Sequence, residues 1–174
     1  MEVKEVEQLA EEYGADVMRF CKKLTRCTAD AQDLYQQSFL KLMQLRVKID
    51  RENNPRAFLF SIVNGIWKNE CRKSGRRAQI APTVSTEEEQ ESGAARRDVQ
   101  DDVLNGFLYE ELAQAVQNLE SKYQTPIVLM YYFDMKIEDI ARIERVAQGT
   151  VKSRLNRAKE KLRKEMEARG YGRL

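Results

Sequence analysis

Apolar residues recur at helical spacing along most of this chain of 174 residues. Only three prolines and eight glycines interrupt the pattern, and no run of alternating apolar residues supports a strand. Because such helices can bury their apolar faces only against one another, we expect an all-α fold. The periodicity predicts helices over residues 3–26, 29–46, 55–74, 106–118, 122–133, 136–143 and 149–168.

Charge is distributed unevenly along the chain, although the formal net charge is only +2. Residues 68–77 carry a net charge of +4, and residues 149–169 carry +5. Residues 78–105 carry −5, are polar and are poor in aromatics, a composition typical of a linker. We therefore expect two small helical domains, 1–77 and 106–174, joined by a flexible acidic linker over 78–105.

The segment 149–168 combines an apolar back with a basic front when wound as a helix. The back consists of Val151, Leu155, Ala158 and Leu162, and the front of Ser153, Arg154, Arg157, Lys161 and Lys164. A short amphipathic helix at 135–143 precedes it, with residues 144–148 between them. This order predicts a helix-turn-helix, whose second helix enters the major groove of DNA. The alternative for the basic face is an ordinary solvated surface.

Several classes of protein and site are excluded by composition. No run of about 18 apolar residues could span a membrane, and the acidic N-terminus is unlike a secretion signal. The chain has no histidine and only Cys21, Cys27 and Cys71, so no Cys/His or four-Cys zinc site can form. An odd number of unpaired cysteines suits the cytoplasm. Buried structural thiols are the main interpretation, with redox or metal sensing as the alternative, and we expect no cofactor or metal.

The segment 55–74 predicts a central helix with two apolar stripes. Asn54 and Pro55 are typical of an N-cap followed by proline in the first turn. The broad core face consists of Phe58, Leu59, Ile62, Val63 and Ile66, and the second stripe of Phe60, Asn64 and Trp67. That second stripe is interpreted either as a contact with a second neighbouring helix or as a platform on which unpaired bases stack. In the latter case the basic residues at 68–77 would hold the phosphates.

Four motifs together resemble a bacterial sigma factor of the sigma-70 family, in its extracytoplasmic-function group. They are DAQDLYQQSFLKLM (residues 30–43), PRAFLFSIVNGIWKNECRKSGRR (55–77), LESKYQTPIVLMYYFDMKIEDIA (119–141) and GTVKSRLNRAKEKLR (149–163). They resemble the family's region 2.2, its regions 2.3 and 2.4, and region 4. The resemblance extends over nearly the whole chain, in the family's order and spacing.

The resemblance implies a non-catalytic initiation factor that brings core RNA polymerase to promoters with −35 and −10 elements and helps to melt them. The helix at 30–43 would dock on the coiled coil of the polymerase β′ subunit. The motif positions for that contact are Asp33, Gln36, Gln37 and Phe39. The second domain would meet the β flap, and the acidic linker would thread towards the active-site cleft and the RNA exit path.

The resemblance also implies where promoter DNA binds. The loop from Ile49 to Arg56 would capture a flipped base of the −10 element, at a cost that base stacking offsets. The implied −10 contacts are Asn53, Asn54, Arg56, Phe60, Asn64, Lys68, Arg72, Arg76 and Arg77. At the −35 element, the groove-facing positions are Lys152, Ser153, Asn156 and Arg157, and the phosphate-facing ones are Thr150, Arg154 and Lys161. A further implied partner is an anti-sigma factor, which can be membrane-anchored; no small-molecule substrate is implied.

The chain departs from the family pattern at a few positions. Arg145 stands where the helix-turn-helix turn usually has glycine, and Ala147 where it has proline. A positive φ is unfavourable for arginine, so we expect a differently shaped turn. Glu144 occupies a usually apolar position, which predicts a weakened local core. Asn64 lies one position before Gly65, where the family has its asparagine.

Two other classes of function remain as alternatives. One is a two-domain transcriptional regulator, in which only the helix-turn-helix binds DNA and the first domain binds a ligand or a dimer partner. A regulator has no need for the basic, aromatic surface at residues 49–77. The other is an enzyme, but the chain has no histidine, Gly-rich phosphate loop or paired nucleophile and base.

Overall fold

The structure, a computed structural model, describes residues 3–45, 54–80 and 102–171. These residues form seven helices and no strand, which confirms the all-α expectation. The helices are α1 (Val3–Leu24), α2 (Thr28–Gln44), α3 (Pro55–Ile80), α4 (Asp102–Asn118), α5 (Ser121–Tyr131), α6 (Ile137–Glu144) and α7 (Gln148–Ala168). Because α3 reaches Ile80 and α4 begins at Asp102, both helices extend into the ends of the predicted linker. The rest of that linker lies outside the described residues.

The start of α3 is built by the residues that the sequence indicates. The Asn54 side-chain oxygen accepts a hydrogen bond from the Ala57 backbone N–H at 3.1 Å. Pro55 takes the first helical position, where a missing N–H costs nothing. Asn54 has a φ of 50°, a left-handed conformation that asparagine tolerates better than most residues. Helix α3 therefore begins at a left-handed residue whose side chain caps it.

The first domain consists of α1, α2 and α3, which pack on one another. Its core is made of buried apolar side chains from all three helices: Val17, Phe20, Leu24, Leu34, Leu42, Leu59 and Val63. The second domain consists of α4 to α7, and its core contains Val128, Leu129, Ile140 and the back of α7. On α7 the predicted apolar residues Val151, Leu155, Ala158 and Leu162 are all buried, joined by Met166.

The two domains pack directly against each other. Helix α3 contacts α6 and α5, and α1 contacts α5. Phe133 of the second domain packs edge-on against two rings of the first, with its centroid 5.6 Å from that of Phe20 and 4.9 Å from that of Phe60. Phe20 and Phe60 stack at 4.5 Å. One apolar core thus runs from the first domain into the second.

The second stripe of α3 lies at this junction, so the interpretation that it packs on neighbouring helices is confirmed for Phe60. Across the part of the chain that the structure describes, no helix is both long and apolar enough to cross a membrane. Within the same residues, no three cysteine or acidic side chains are grouped as metal ligands.

Candidate nucleic-acid interface

The front of α7 presents the predicted groove-facing residues to solvent. Thr150, Lys152, Ser153, Asn156, Arg157 and Lys161 are all exposed. The buried back of the helix holds this orientation, because the apolar stripe can face only the domain core. Thr150, Ser153, Arg154 and Arg157 line a shallow depression that Lys122 and Tyr123 complete. A basic depression at a helix N-terminus suits a phosphate group.

The turn before α7 keeps a left-handed residue despite the absence of glycine. Arg145 has φ 55° and ψ 49°, so the expectation of a differently shaped turn is wrong. The Val146 N–H donates to the Ala141 carbonyl at 3.0 Å, which closes the end of α6. The arginine therefore accepts a strained backbone that the surrounding hydrogen bonds impose.

Glu144 was expected to weaken the local core, because it places a charge at a usually apolar position. In the structure that charge is paired with two basic side chains. The carboxylate is fully buried. Arg154 Nη1 donates to its Oε2 at 2.9 Å, and Lys68 Nζ lies 2.9 Å from Oε1. Oε1 accepts no well-directed hydrogen bond within the described residues, so its contact with Lys68 is ionic. Arg154, assigned above to a phosphate, is here an ion-pair partner of Glu144.

Four of the predicted −10 residues on α3, Arg56, Phe60, Asn64 and Lys68, lie at the junction between the domains. Phe60 and Asn64 are buried, and Trp67 and Lys68 are half-buried. Stacking of a base on Phe60, one of the interpretations above, is therefore impossible in this arrangement. The Arg56 guanidinium lies over the rings of Phe60 and Phe133 at 5.4 and 5.3 Å. Its Nε is 2.9 Å from Asp16 Oδ2.

The remaining −10 residues are placed only in part. Arg72 is exposed on α3, and the helix continues through Arg76 and Arg77. Asn53 lies outside the described residues, as does the loop from Ile49 up to it. Asn54 serves as the cap of α3.

The predicted polymerase-binding face lies on α2. Asp33, Gln36 and Gln37 are exposed, and Phe39 is half-buried against Tyr35, with the ring centroids 4.8 Å apart. Sequence reasoning missed Leu40 and Met43, which are 53% and 44% exposed. Their spacing from Asp33 and Gln36 places them on the same helix face. The signal that could have identified them is helical spacing, because each follows a polar residue of this face by four or seven positions.

The three cysteines differ in burial, and Cys21 is the most deeply buried of them. Burial raises the pKa of the Cys21 thiol from 9.0 to about 12, so the reactive thiolate is absent near neutral pH. Burial, and then the neighbouring Glu70, raise the pKa of Cys71, against the opposing effect of a hydrogen bond with Ser121. Cys27 is half-buried, and its sulfur accepts from the Asp30 N–H at the start of α2.

Two protein families match the chain in succession. The family described as Sigma-70 region 2 matches residues 9–77, and the family described as Sigma-70, region 4 matches residues 109–162. The first match covers most of α1, all of α2 and most of α3. The second covers most of α4 and continues into α7, including the helix-turn-helix.

Individual relatives agree with these matches. The chain is 28% identical to the ECF RNA polymerase sigma factor SigL of Mycobacterium tuberculosis over 166 residues, covering 95% of this chain and 90% of the relative. It is 27% identical to SigW of Bacillus subtilis, covering 88% and 84%.

Two solved structures also match. RpoE of Bartonella quintana, in complex with the anti-sigma factor NepR, has a TM-score of 0.75 and 25% identity, covering 95% of this chain and 98% of that one. CnrH in complex with the cytosolic domain of CnrY, at 18% identity and a TM-score of 0.64, shares the fold over 96% and 90%. Both sigma-70 regions are thus found in order on a chain whose exposed basic helix follows a helix-turn-helix turn. The protein is a member of the sigma-70 family, a sigma factor of the extracytoplasmic-function group that serves transcription initiation.

Proposed function

We propose that this chain directs core RNA polymerase to promoters carrying its own −35 and −10 elements and promotes melting there. The observation that carries the proposal is the exposed front of α7. Its groove-facing residues are held outwards by a fully packed back. A helix with this construction reads base edges in the major groove, while neighbouring basic residues fix its position on phosphates.

At the −35 element, Arg157 is the strongest candidate for a base contact. Arginine binds guanine through two parallel hydrogen bonds, and Arg157 is exposed at the centre of the front. The other proposed groove contacts are Lys152, Ser153 and Asn156. Thr150 and Lys161 would hold phosphates. Arg154 could do so only after releasing Glu144, because it donates a hydrogen bond to that carboxylate in this structure.

At the −10 element, the proposed binding surface is the second stripe of α3 together with the basic residues that follow it. Its members are Asn53, Asn54, Arg56, Phe60, Asn64, Lys68, Arg72, Arg76 and Arg77. Phe60 and Asn64 can take part only when the second domain has moved away, because that domain covers them here. In this proposal, residues 1–77 bind polymerase and the −10 element, residues 106–174 bind the −35 element, and residues 78–105 join them.

The exposed face of α2 is the proposed contact with the β′ coiled coil. Its polar members Asp33, Gln36 and Gln37 lie beside Phe39, and the exposed Leu40 and Met43 add apolar area. Protein interfaces of this kind combine a few apolar anchors with a polar rim. We propose the β flap as the contact of the second domain.

We further propose an anti-sigma factor as a regulatory partner, since the similar RpoE was solved with one. The chain would act in the cytoplasm, as a binding protein without catalytic residues, cofactor or small-molecule substrate.

Transcription in vitro tests the proposal. Purified core polymerase, with and without the chain, transcribes fragmented genomic DNA from the source organism, and start sites are mapped. We expect new start sites that depend on the chain and share motifs near −35 and −10. If the second domain binds double-stranded DNA but no new start sites appear, the result would instead support the alternative that the chain is a transcriptional regulator.

A further inference from the structure

The second domain covers the strand-binding stripe, which we define as Phe60, Asn64, Trp67 and Lys68 of α3. Each member has a partner across the junction. Phe60 packs edge-on against Phe133. Asn64 Nδ2 donates to the Ile143 carbonyl at 3.3 Å, and its Oδ1 accepts from Thr125 at 3.3 Å. Trp67 Nε1 donates to Gln124 at 3.3 Å, and Lys68 pairs with Glu144.

Gln124, the partner of Trp67 in the second domain, makes a further contact with the first domain. Gln124 is itself buried and donates to the Leu24 carbonyl of α1 at 3.0 Å. A buried amide that lost these partners would leave polar groups unsatisfied. Specific hydrogen bonds and an ion pair therefore hold the second domain over the stripe.

Glu144 is the ionic centre of this junction. Its buried carboxylate lies between Lys68 of the first domain and Arg154 of α7, each 2.9 Å away. A buried charge is tolerated only while its counter-charges stay in place. Removing the first domain takes Lys68 away and leaves Glu144 with Arg154 alone.

We propose that Glu144 is an ionic latch that holds the second domain closed over the strand-binding stripe. In the closed molecule the stripe cannot bind single-stranded DNA, whereas the front of α7 stays free for double-stranded DNA. Opening lets a DNA phosphate replace the Glu144 carboxylate as the counter-charge of Lys68. The DNA part of this inference rests on the proposed function of the stripe; the closure itself rests only on the contacts above.

Glu144→Gln in the full chain tests the latch, because glutamine keeps the shape of the side chain and removes its charge. Glu11→Gln is the matched control: Glu11 is exposed on α1 and its replacement changes the net charge equally. Small-angle X-ray scattering measures the radius of gyration of the free chain. We expect Glu144→Gln to enlarge it and Glu11→Gln to leave it at the wild-type value.

DNA binding supplies the second readout. The probes are the single-stranded non-template −10 sequence and the −35 duplex from a start site mapped by transcription. If the latch restricts the open form to a minor population, its removal raises single-strand affinity about tenfold and duplex affinity less than twofold. Glu11→Gln should change neither the single-strand affinity nor the duplex affinity.

Lys68→Gln provides an independent variant in case Glu144→Gln does not fold, and circular dichroism reports the helix content of each. It removes the same ion pair from the first domain, so it should also enlarge the radius of gyration. Equal radii for wild type, Glu144→Gln and Lys68→Gln would overturn the latch. Enlarged radii without single-strand binding by any variant would uphold the latch and contradict the proposed role of the stripe.

Discussion

Arg157 carries the sharpest residue-scale prediction, because it is exposed at the centre of the α7 front. Arg157→Ala should weaken binding to the −35 duplex by about 1–3 kcal/mol and relax selectivity at one base pair. Lys159→Ala removes the same charge from an exposed position off that face and should leave base selectivity unchanged. Fluorescence anisotropy with a panel of substituted duplexes measures both. Full selectivity in Arg157→Ala would show that the residue reads no base.

Cys21 yields a prediction about pH and reactivity. Its thiol is buried, and its pKa rises from 9.0 to about 12 on folding. Above pH 9 the unfolded chain loses this proton while the folded chain keeps it, so the free energy of unfolding falls between about pH 9 and 12. At pH 8, iodoacetamide should modify the half-buried Cys27 well before Cys21, as measured by peptide mass spectrometry. Equal rates would contradict the burial of Cys21.

At the scale of elements, the turn between α6 and α7 stores strain in one residue. Arg145 is left-handed with a φ of 55°, and glycine adopts that conformation without steric cost. Arg145→Gly should therefore raise the free energy of unfolding by about 0.5–1 kcal/mol. The same substitution at exposed Arg142, inside α6, should lower it by about 1 kcal/mol. Urea denaturation compares the two, and a loss of stability in Arg145→Gly would argue against strain.

The exposed face of α2 is a second prediction at this scale. Asp33→Ala combined with Gln36→Ala should weaken binding to core polymerase, as should Leu40→Ser, because each removes part of one continuous face. Glu11→Ala with Glu12→Ala removes two exposed polar side chains from α1 and should leave binding intact. Pull-down with purified core polymerase decides, and full retention of the α2 variants would contradict the docking face.

For the whole molecule, the shared core predicts how the chain unfolds. Phe133 packs against Phe20 and Phe60 of the other domain, so the two domains should unfold in one transition. Phe133→Ala should lower the free energy of unfolding by about 3–5 kcal/mol and split the calorimetric transition in two. Phe107→Ala, at a 57% exposed ring, should do neither. Two transitions already present in wild type would show that the domains are not coupled.

Periodicity predicted the ends of most helices to within a few residues. It could do so because the formation of a helix and the burial of one of its faces depend on residues that are close together in the chain. The ends of α3 and α4 were misplaced because the linker's composition extended into them. The front and back of α7 were both foreseen. Phe60 shows the limit, since its apolar character favoured burial but left base stacking as an alternative.

The sequence by itself determined the all-α class, the helix-turn-helix, the cap of α3 and the exposed basic front of α7, because each depends on residues close together in the chain. Only the tertiary structure decided that Gln124, Thr125 and Glu144 face the first domain. Those contacts join residues that lie more than fifty positions apart, and periodicity identifies a buried face without indicating what covers it. The same limit explains why the sequence predicted that Glu144 would weaken the core. Its two counter-charges come from separate helices, and periodicity does not show that they meet it.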